Sequence, residues 1–180
     1  MKNILICNNC GNENPFYQLN CAKCNSFLRS RVVNIDLWDT IGKLLYSPVK
    51  TAENIIQAEH KNFVTICLIS AAFKFSLNSI IVTNAFHLVE VVPVTFSKGI
   101  IHGGLPLIIL LLVSSYLITM LNNKIGVKNR FKDNFSLYVF AFIPQILILF
   151  IIAPIEYALF GEYWFTFNPS PFIMKPGASI

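Results

Sequence analysis

Three stretches of this chain, about residues 63–86, 99–121 and 135–160, are long and apolar enough to span a bilayer. A hydrocarbon core of about 30 Å takes roughly 20 helical residues to cross. The second of them, with Leu105 through Val113 nearly unbroken, is the cleanest. The composition agrees: 54% of the residues are hydrophobic and 13% are charged, against about 25% charged in a typical soluble domain. Mean hydropathy is +0.59. Such a chain needs lipid or detergent around it, and its predicted fold class after the first sixty residues is an all-α polytopic membrane domain with three transmembrane helices.

Charge orients it. The formal charge is +5, but its position matters more than its total. Loop 122–134 carries Lys124, Lys128, Arg130 and Lys132 against Asp133 alone, a net +3, whereas loop 87–98 holds only Glu90 and Lys98. Basic residues between two apolar spans follow the positive-inside rule, so membrane topology explains them better than nucleic acid does. The basic loop and the amino terminus are expected in the cytoplasm, the protein in the cell (inner) membrane, and residues 161–180 outside. Met1 to Ile6 is too short an apolar run for a signal peptide, so the first span is expected to act as the insertion signal.

Ahead of the membrane part stand two C-x-x-C pairs, Cys7/Cys10 and Cys21/Cys24, separated by residues 11–20. Each pair can form a knuckle, a tight turn that lets two thiolates reach one ion at about 2.3 Å. Gly11 supplies the positive φ that a knuckle exit needs. The expectation is a small zinc ribbon with short β-structure over residues 1–28, holding structural Zn2+ through Cys7, Cys10, Cys21 and Cys24. With few apolar residues to bury, the metal would supply most of the folding free energy, on the order of 10–16 kcal/mol apparent. Disulfides are a rival reading, disfavoured in a reducing cytoplasm. A redox C-x-x-C is another, disfavoured because no βαβ pattern surrounds the pairs; an iron–sulfur centre or another metal is a third. Four cysteine ligands leave no open position for catalysis. The fifth cysteine, Cys67, is expected to be a small packed hydrophobe. The head resembles the short amino-terminal zinc ribbons of prokaryotic proteins, which read C-x-x-C-G-x-x-N, here Cys7, Cys10, Gly11 and Asn14.

Residues 29–61 read as a linker followed by an amphipathic juxtamembrane segment. Trp38, Ile41, Leu44, Leu45, Val49, Ala52, Ile55 and Ile56 recur at helical spacing, opposite Lys43, Lys50, Glu53, Gln57, Glu59 and Lys61. Ser47-Pro48 divides it into helices over about 37–46 and 48–60, with Ser47 as N-cap and Pro48 at the first helical position. The apolar face suits either the lipid headgroup layer or packing on the transmembrane helices.

Polar residues punctuate the spans: Lys74, Ser76, Asn78 and Asn84 in the first, and Pro144, Gln145, Pro154 and Glu156 in the third. Lys74 would cost about 2.5–3.5 kcal/mol unpaired at mid-membrane; Glu156 is a candidate partner, and snorkelling is the alternative. His102 precedes Gly103-Gly104, where glycines permit close helix approach. Pro144 and Pro154 are expected to kink the third span. His87-x-x-Glu90 has helical spacing but stands alone. There is no nucleophile elbow, phosphate loop or H-E-x-x-H sequence. No catalytic residue and no cofactor-binding residue is assigned, and the expectation is that the chain is not an enzyme.

From about residue 38 onward the layout resembles the Yip family, the Ypt/Rab-interacting membrane proteins. The resemblance rests on Ser47-Pro48 leading the segment Val49 to Ile56, the Gly-rich start Gly99-Ile100-Ile101-His102-Gly103-Gly104 of span two, the basic loop with Gly126 and Arg130-Phe131, and Ala141-Phe142-Ile143-Pro144 in span three. It implies a five-helix membrane domain, here over residues 62–180, with a cytoplasmic amino terminus. In eukaryotes such proteins serve vesicle traffic. Ending after three spans departs from that layout and suggests a fragment or a shortened variant.

The expected role is a non-enzymatic scaffold or adaptor. Its partners would be the lipid bilayer and other membrane proteins or further copies of itself, with no nucleic acid and no substrate that the residues name. The alternative is a transporter or channel component using Lys74, Asn78, His102 and Glu156. A zinc- or redox-responsive membrane sensor is a third reading.

Overall fold

The computed structural model describes residues 4–15, 18–29, 34–58, 60–86, 96–127, 129–161 and 163. The head opens with strand β1 (Ile4–Ile6), paired antiparallel with β2 (Glu13–Pro15) in the register Ile4 to Pro15, Leu5 to Asn14 and Ile6 to Glu13. A single antiparallel bridge joins Asn20 to Phe27 around the second cysteine pair. Two three-residue strands have almost no core of their own.

Helix α1 (Leu37–Tyr46) is capped by Asp36, whose carboxylate accepts the Asp39 N–H at 3.0 Å. Helix α2 (Pro48–Gln57) begins with Pro48 in its first turn, where a missing N–H costs nothing. Ser47 stands at its N-cap position but does not cap it. Its hydroxyl turns back to donate to the Lys43 carbonyl at the end of α1, 3.3 Å away. The expected single apolar face also divides at this corner. Ile55 is fully buried, while Trp38 (79% exposed), Leu45 and Val49 stand open, and the polar Thr40 and Thr51 are buried instead. Thr51 resolves its burial by donating to the Ser47 carbonyl at 2.9 Å, and Thr40 does the same toward Asp36.

Three helical stretches among the described residues are long and apolar enough to cross a membrane: 64–85, 96–124 and 131–160. Helices suit that setting because they satisfy every backbone group within the segment. The first is α3 (Val64–Phe86). The second starts as α4 (Phe96–Gly99), passes through a π-helical turn at Ile100–Gly104 and continues as α5 (Leu105–Lys124). Pro106, the second residue of α5, has no N–H to offer the His102 carbonyl, so a widened turn fits the sequence here. The third is interrupted for one residue just before its first proline, where the sequence led to the expectation of a kink. Helix α6 (Phe131–Ala141) ends, Phe142 takes φ −84° and ψ 2°, and α7 (Ile143–Phe160) begins with Pro144 in its first turn. Pro144 cannot donate to the Phe140 carbonyl, which removes the bond that would carry the helix across. Pro154 is accommodated inside α7.

Contacts divide the chain into two compact units, one from residues 1–65 and 111–141, the other from 66–110 and 142–180. In the first, α2 packs on α6, with Ile55, Ala58, Val139 and Phe140 essentially fully buried. Polar links join this unit: Asn134 Nδ2 donates to Thr119 Oγ1 at 2.8 Å, and Thr119 and Ser115 return their hydroxyls to the carbonyls of Ser115 and Leu111. In the second, the glycines of the π turn bring two helices together. A Cβ on Gly103 would lie 2.4 Å from the Phe75 carbonyl oxygen, so only glycine permits this approach. Phe75 also meets Phe142 edge-on at 5.6 Å, and Phe73 meets Phe96 at 5.5 Å. Cys67 is buried, as its setting in α3 suggested.

Candidate metal centre

The two cysteine turns are the same turn used twice. In the first, the Cys7 carbonyl accepts the Gly11 N–H at 2.8 Å, and the Cys7 N–H donates to the Asn12 carbonyl at 3.0 Å. In the second, the Cys21 carbonyl accepts the Asn25 N–H at 3.0 Å, and the Cys21 N–H donates to the Ser26 carbonyl at 2.9 Å. The residue four places after each leading cysteine is left-handed, Gly11 at φ 69° and Asn25 at φ 58°. Glycine pays nothing for that conformation, and asparagine is among the few other residues that adopt it readily.

These turns bring four sulfurs together. Cys7 Sγ lies 3.5 Å from Cys24 Sγ, and Cys10 Sγ lies 3.5 Å from Cys21 Sγ. All four sulfurs fall within 4.8 Å of one another, and all five cysteines of the chain are free thiols. Tetrahedral ligands on metal–sulfur bonds of about 2.3 Å are separated by roughly 3.8 Å, so the spacing suits one ion. Four closely placed cysteines of this kind can bind a metal. Cys7 and Cys21 are buried, and Cys10 and Cys24 are half-buried.

Around the sulfurs lies a shell of donors. Ser26 Oγ sits 2.9 Å from Cys7 Sγ and 3.0 Å from Cys24 Sγ. The Lys23 N–H points at Cys21 Sγ at 3.4 Å. Asn14 is fully buried and ties the two turns together: its amide donates to the Asn12 carbonyl at 2.8 Å and toward Cys21 Sγ at 3.6 Å, while its Oδ1 accepts the Ala22 N–H at 3.0 Å. Asn14 stood in the sequence pattern without a stated role. Asn25, Ser26 and the Lys23 N–H were not singled out from the sequence, because their importance appears only once the second turn is folded.

The electrostatics follow from this crowding. Ser26 above all, with the N–H groups of Cys10 and Asn9, holds the Cys7 thiol down at about 6 despite burial. The Cys24 N–H chiefly lowers Cys21. Cys10 goes the other way: the Asn12 N–H favours its thiolate, but neighbouring Cys24, burial, Cys21 and Cys7 outweigh it and push the group up to about 12. Crowded sulfurs cannot all ionise without a cation between them.

Downstream of this head, residues 42–174 match the Yip1 domain. The chain belongs to the Yip1 domain family. No curated protein and no solved structure matches it. The match begins inside α1, so the cysteine head lies ahead of the Yip1 domain.

The polar residues expected inside the Yip1 domain are only partly brought together. Asn78 and His102 line one groove. Lys74 is buried and Glu156 half-buried, yet among the described residues they form no ion pair with each other. His87 and Glu90 lie outside the described residues, as do Arg31, Glu59, Lys128 and the aromatic tail from Trp164.

Proposed function

We propose that this Yip1-family membrane protein is a non-enzymatic scaffold or adaptor, in which a structural zinc ribbon presents a protein-docking surface on the cytoplasmic side. The observation that carries the reading is the cluster of four sulfurs within 4.8 Å standing directly ahead of a Yip1 domain. Zinc is the ion of choice because four thiolates in a closed tetrahedron are its usual structural site, with no position left for substrate. Cytoplasmic placement of the head is supported by the basic loop 122–134 and by the need for reduced thiols. The ribbon, residues 1–28, would fold on metal binding, and the Yip1 domain would anchor it to the cell membrane.

The test is metal analysis and affinity capture of the full chain from native membranes. One zinc per chain and a reproducible set of co-captured proteins are expected for the wild type. Cys21→Ser/Cys24→Ser should lose both. An unchanged set of partners after the metal is gone would remove the ribbon as the docking element.

A further inference from the structure

The apolar residues of α1 and α2 are divided between two surroundings. In α2, Ile55 is buried, and the helix packs on α6, the opening helix of the spanning stretch 131–160. Around α1 the arrangement is inverted. Its buried residue is Thr40, and Asp36, Asp39 and Lys43 line a cleft of about 220 Å³ together with Thr51 and Asn54. The opposite face of α1 carries Trp38 and Leu45, two turns apart, and the corner to α2 adds Tyr46 and Val49. Leu45 is 71%, Tyr46 74% and Val49 72% exposed, close to the 79% of Trp38.

Such a helix is inside out for a surface facing water. Single exposed apolar residues are ordinary, but a contiguous group of them marks a contact site. Polar side chains toward the protein and apolar ones away from it suit a helix lying in the headgroup layer, its apolar side sunk about 5–10 Å toward the acyl chains. Location supports the same neighbour. All of α2 is about 15 Å long and braced against α6, so the corner lies within that distance of a spanning stretch. Gln57, at the other end of α2, is seven residues ahead of Val64, where the first spanning helix begins. Residue chemistry agrees. Tryptophan and tyrosine are enriched where membrane meets water, because the ring is apolar while its N–H or O–H finds headgroup or water.

We propose that α1 and the Ser47-Pro48 corner lie in the headgroup layer of the bilayer, with Trp38, Leu45, Tyr46 and Val49 inserted among the upper acyl-chain carbons of one leaflet. The occupant of this face is phospholipid rather than protein. The face is continuous with the bilayer that the spanning helices already contact, and a fluid apolar layer with polar groups above it satisfies all four side chains. Asp36, Asp39 and Lys43, which hydrocarbon would penalise, are gathered on the cleft instead. The break at Ser47-Pro48 lets the two helices take different neighbours, α6 for α2 and lipid for α1. The inference rests on the membrane location of the Yip1 domain and is independent of the ribbon's docking role.

The chain has two tryptophans, Trp38 and Trp164, so Trp164→Phe makes Trp38 the sole tryptophan reporter. The full chain with this substitution is reconstituted in phosphatidylcholine vesicles whose lipid is brominated near either the carbonyl end or the methyl end of its acyl chains. Emission should be shifted to the blue of tryptophan in water, quenched more by bromine near the carbonyl end, and shielded from iodide in the buffer. Leu45→Asp/Val49→Asp should shift the emission back to the red, weaken the bromine quenching and admit iodide, with the far-ultraviolet circular dichroism spectrum unchanged. Trp38→Phe, which keeps Trp164 alone, supplies the signal to subtract should Trp164→Phe fail to fold. Iodide quenching without bromine quenching would overturn the proposal by putting Trp38 in water. Shielding from both quenchers would overturn it as well, since a protein surface, from this chain or a second copy, would then cover the face.

Discussion

Lys61 Nζ lies 3.0 Å from Asp133 Oδ1, with the lysine side chain 9% and the aspartate 1% exposed. The same ammonium donates to the Ile55 carbonyl and, at 3.0 Å, to the Ile56 carbonyl, so it caps the carboxyl-terminal end of α2 while holding the first turn of α6. Arg130 completes the arrangement from the other side, Nε to Oδ2 at 2.9 Å and Nη2 to Oδ1 at 3.2 Å. The cation sits at the negative end of one helix and the carboxylate at the positive end of another, where each is favoured. Burial lowers the Lys61 pKa, and Asp133 opposes that shift.

Removing the carboxylate would leave the buried Lys61 ammonium without this counter-charge. Asp133→Asn is therefore expected to destabilise the protein in detergent by about 3–5 kcal/mol, read as a lowered midpoint of thermal unfolding by circular dichroism. A midpoint within a degree of the wild type would show that Lys61 does not depend on this partner.

Close approach at the π turn predicts a ranking of glycine substitutions. Gly103→Ala meets a backbone carbonyl at 2.4 Å, whereas the nearest atom to a Cβ on Gly104 is the Ser76 hydroxyl at 2.6 Å, which can rotate away. Gly103→Ala should cost about 1–3 kcal/mol, and Gly104→Ala less. Guest-free thermal melts of the two variants in one detergent check the order.

Asn14 acts through Cys21 and the Ala22 N–H rather than as a metal donor. Loss of such outer-shell support usually weakens metal binding 10–100-fold, so Asn14→Ala should fall in that range in a zinc competition titration. Asn25→Gly should be neutral and Asn25→Val harmful, since φ 58° suits glycine and strains a β-branched residue.

Metal uptake should depend on pH with a change of slope. Cys7, lowered from 9.0 to about 6, gives the metal-free head stability that is complete above about 9 and lost as pH falls through about 6. Cys10, raised to about 12, works in the opposite sense: its contribution is complete below about 9 and lost as pH rises through about 12. A metal ion held by all four sulfurs would therefore have to displace the Cys10 proton at neutral pH, and below about pH 6 the Cys7 proton as well. Affinity measured against a chromophoric chelator should drop more steeply with acid below pH 6 than above it. A constant slope through that range would mean Cys7 is not ionised beforehand.

Much of this was legible in the sequence, for identifiable reasons. Cysteine spacing encodes a knuckle locally, so Cys7, Cys10, Cys21 and Cys24 and the exit at Gly11 could be read without a fold. Unbroken apolar length encodes a span, and Pro48 marks the start of α2. What escaped depended on neighbours. Asn25 looks like any loop asparagine until the second turn is seen to copy the first. Periodicity located apolar residues on α1 and α2 but could not say that Thr51 would be buried beside Ile55 while Trp38 stayed exposed. Pro144 signalled a disturbance, but whether a helix bends or stops at Phe142 depends on packing that no local pattern specifies. The cap on α1 fell to Asp36, and Ser47 was claimed by a carbonyl behind it.

Arg29, at the exit of the cysteine head, donates from Nη2 to the Gln57 carbonyl at 3.1 Å. That contact makes the head less a pendant on a string than a lever with a fixed fulcrum. A pull or twist on the ribbon would reach the end of α2 directly, next to the carbonyls that Lys61 grips.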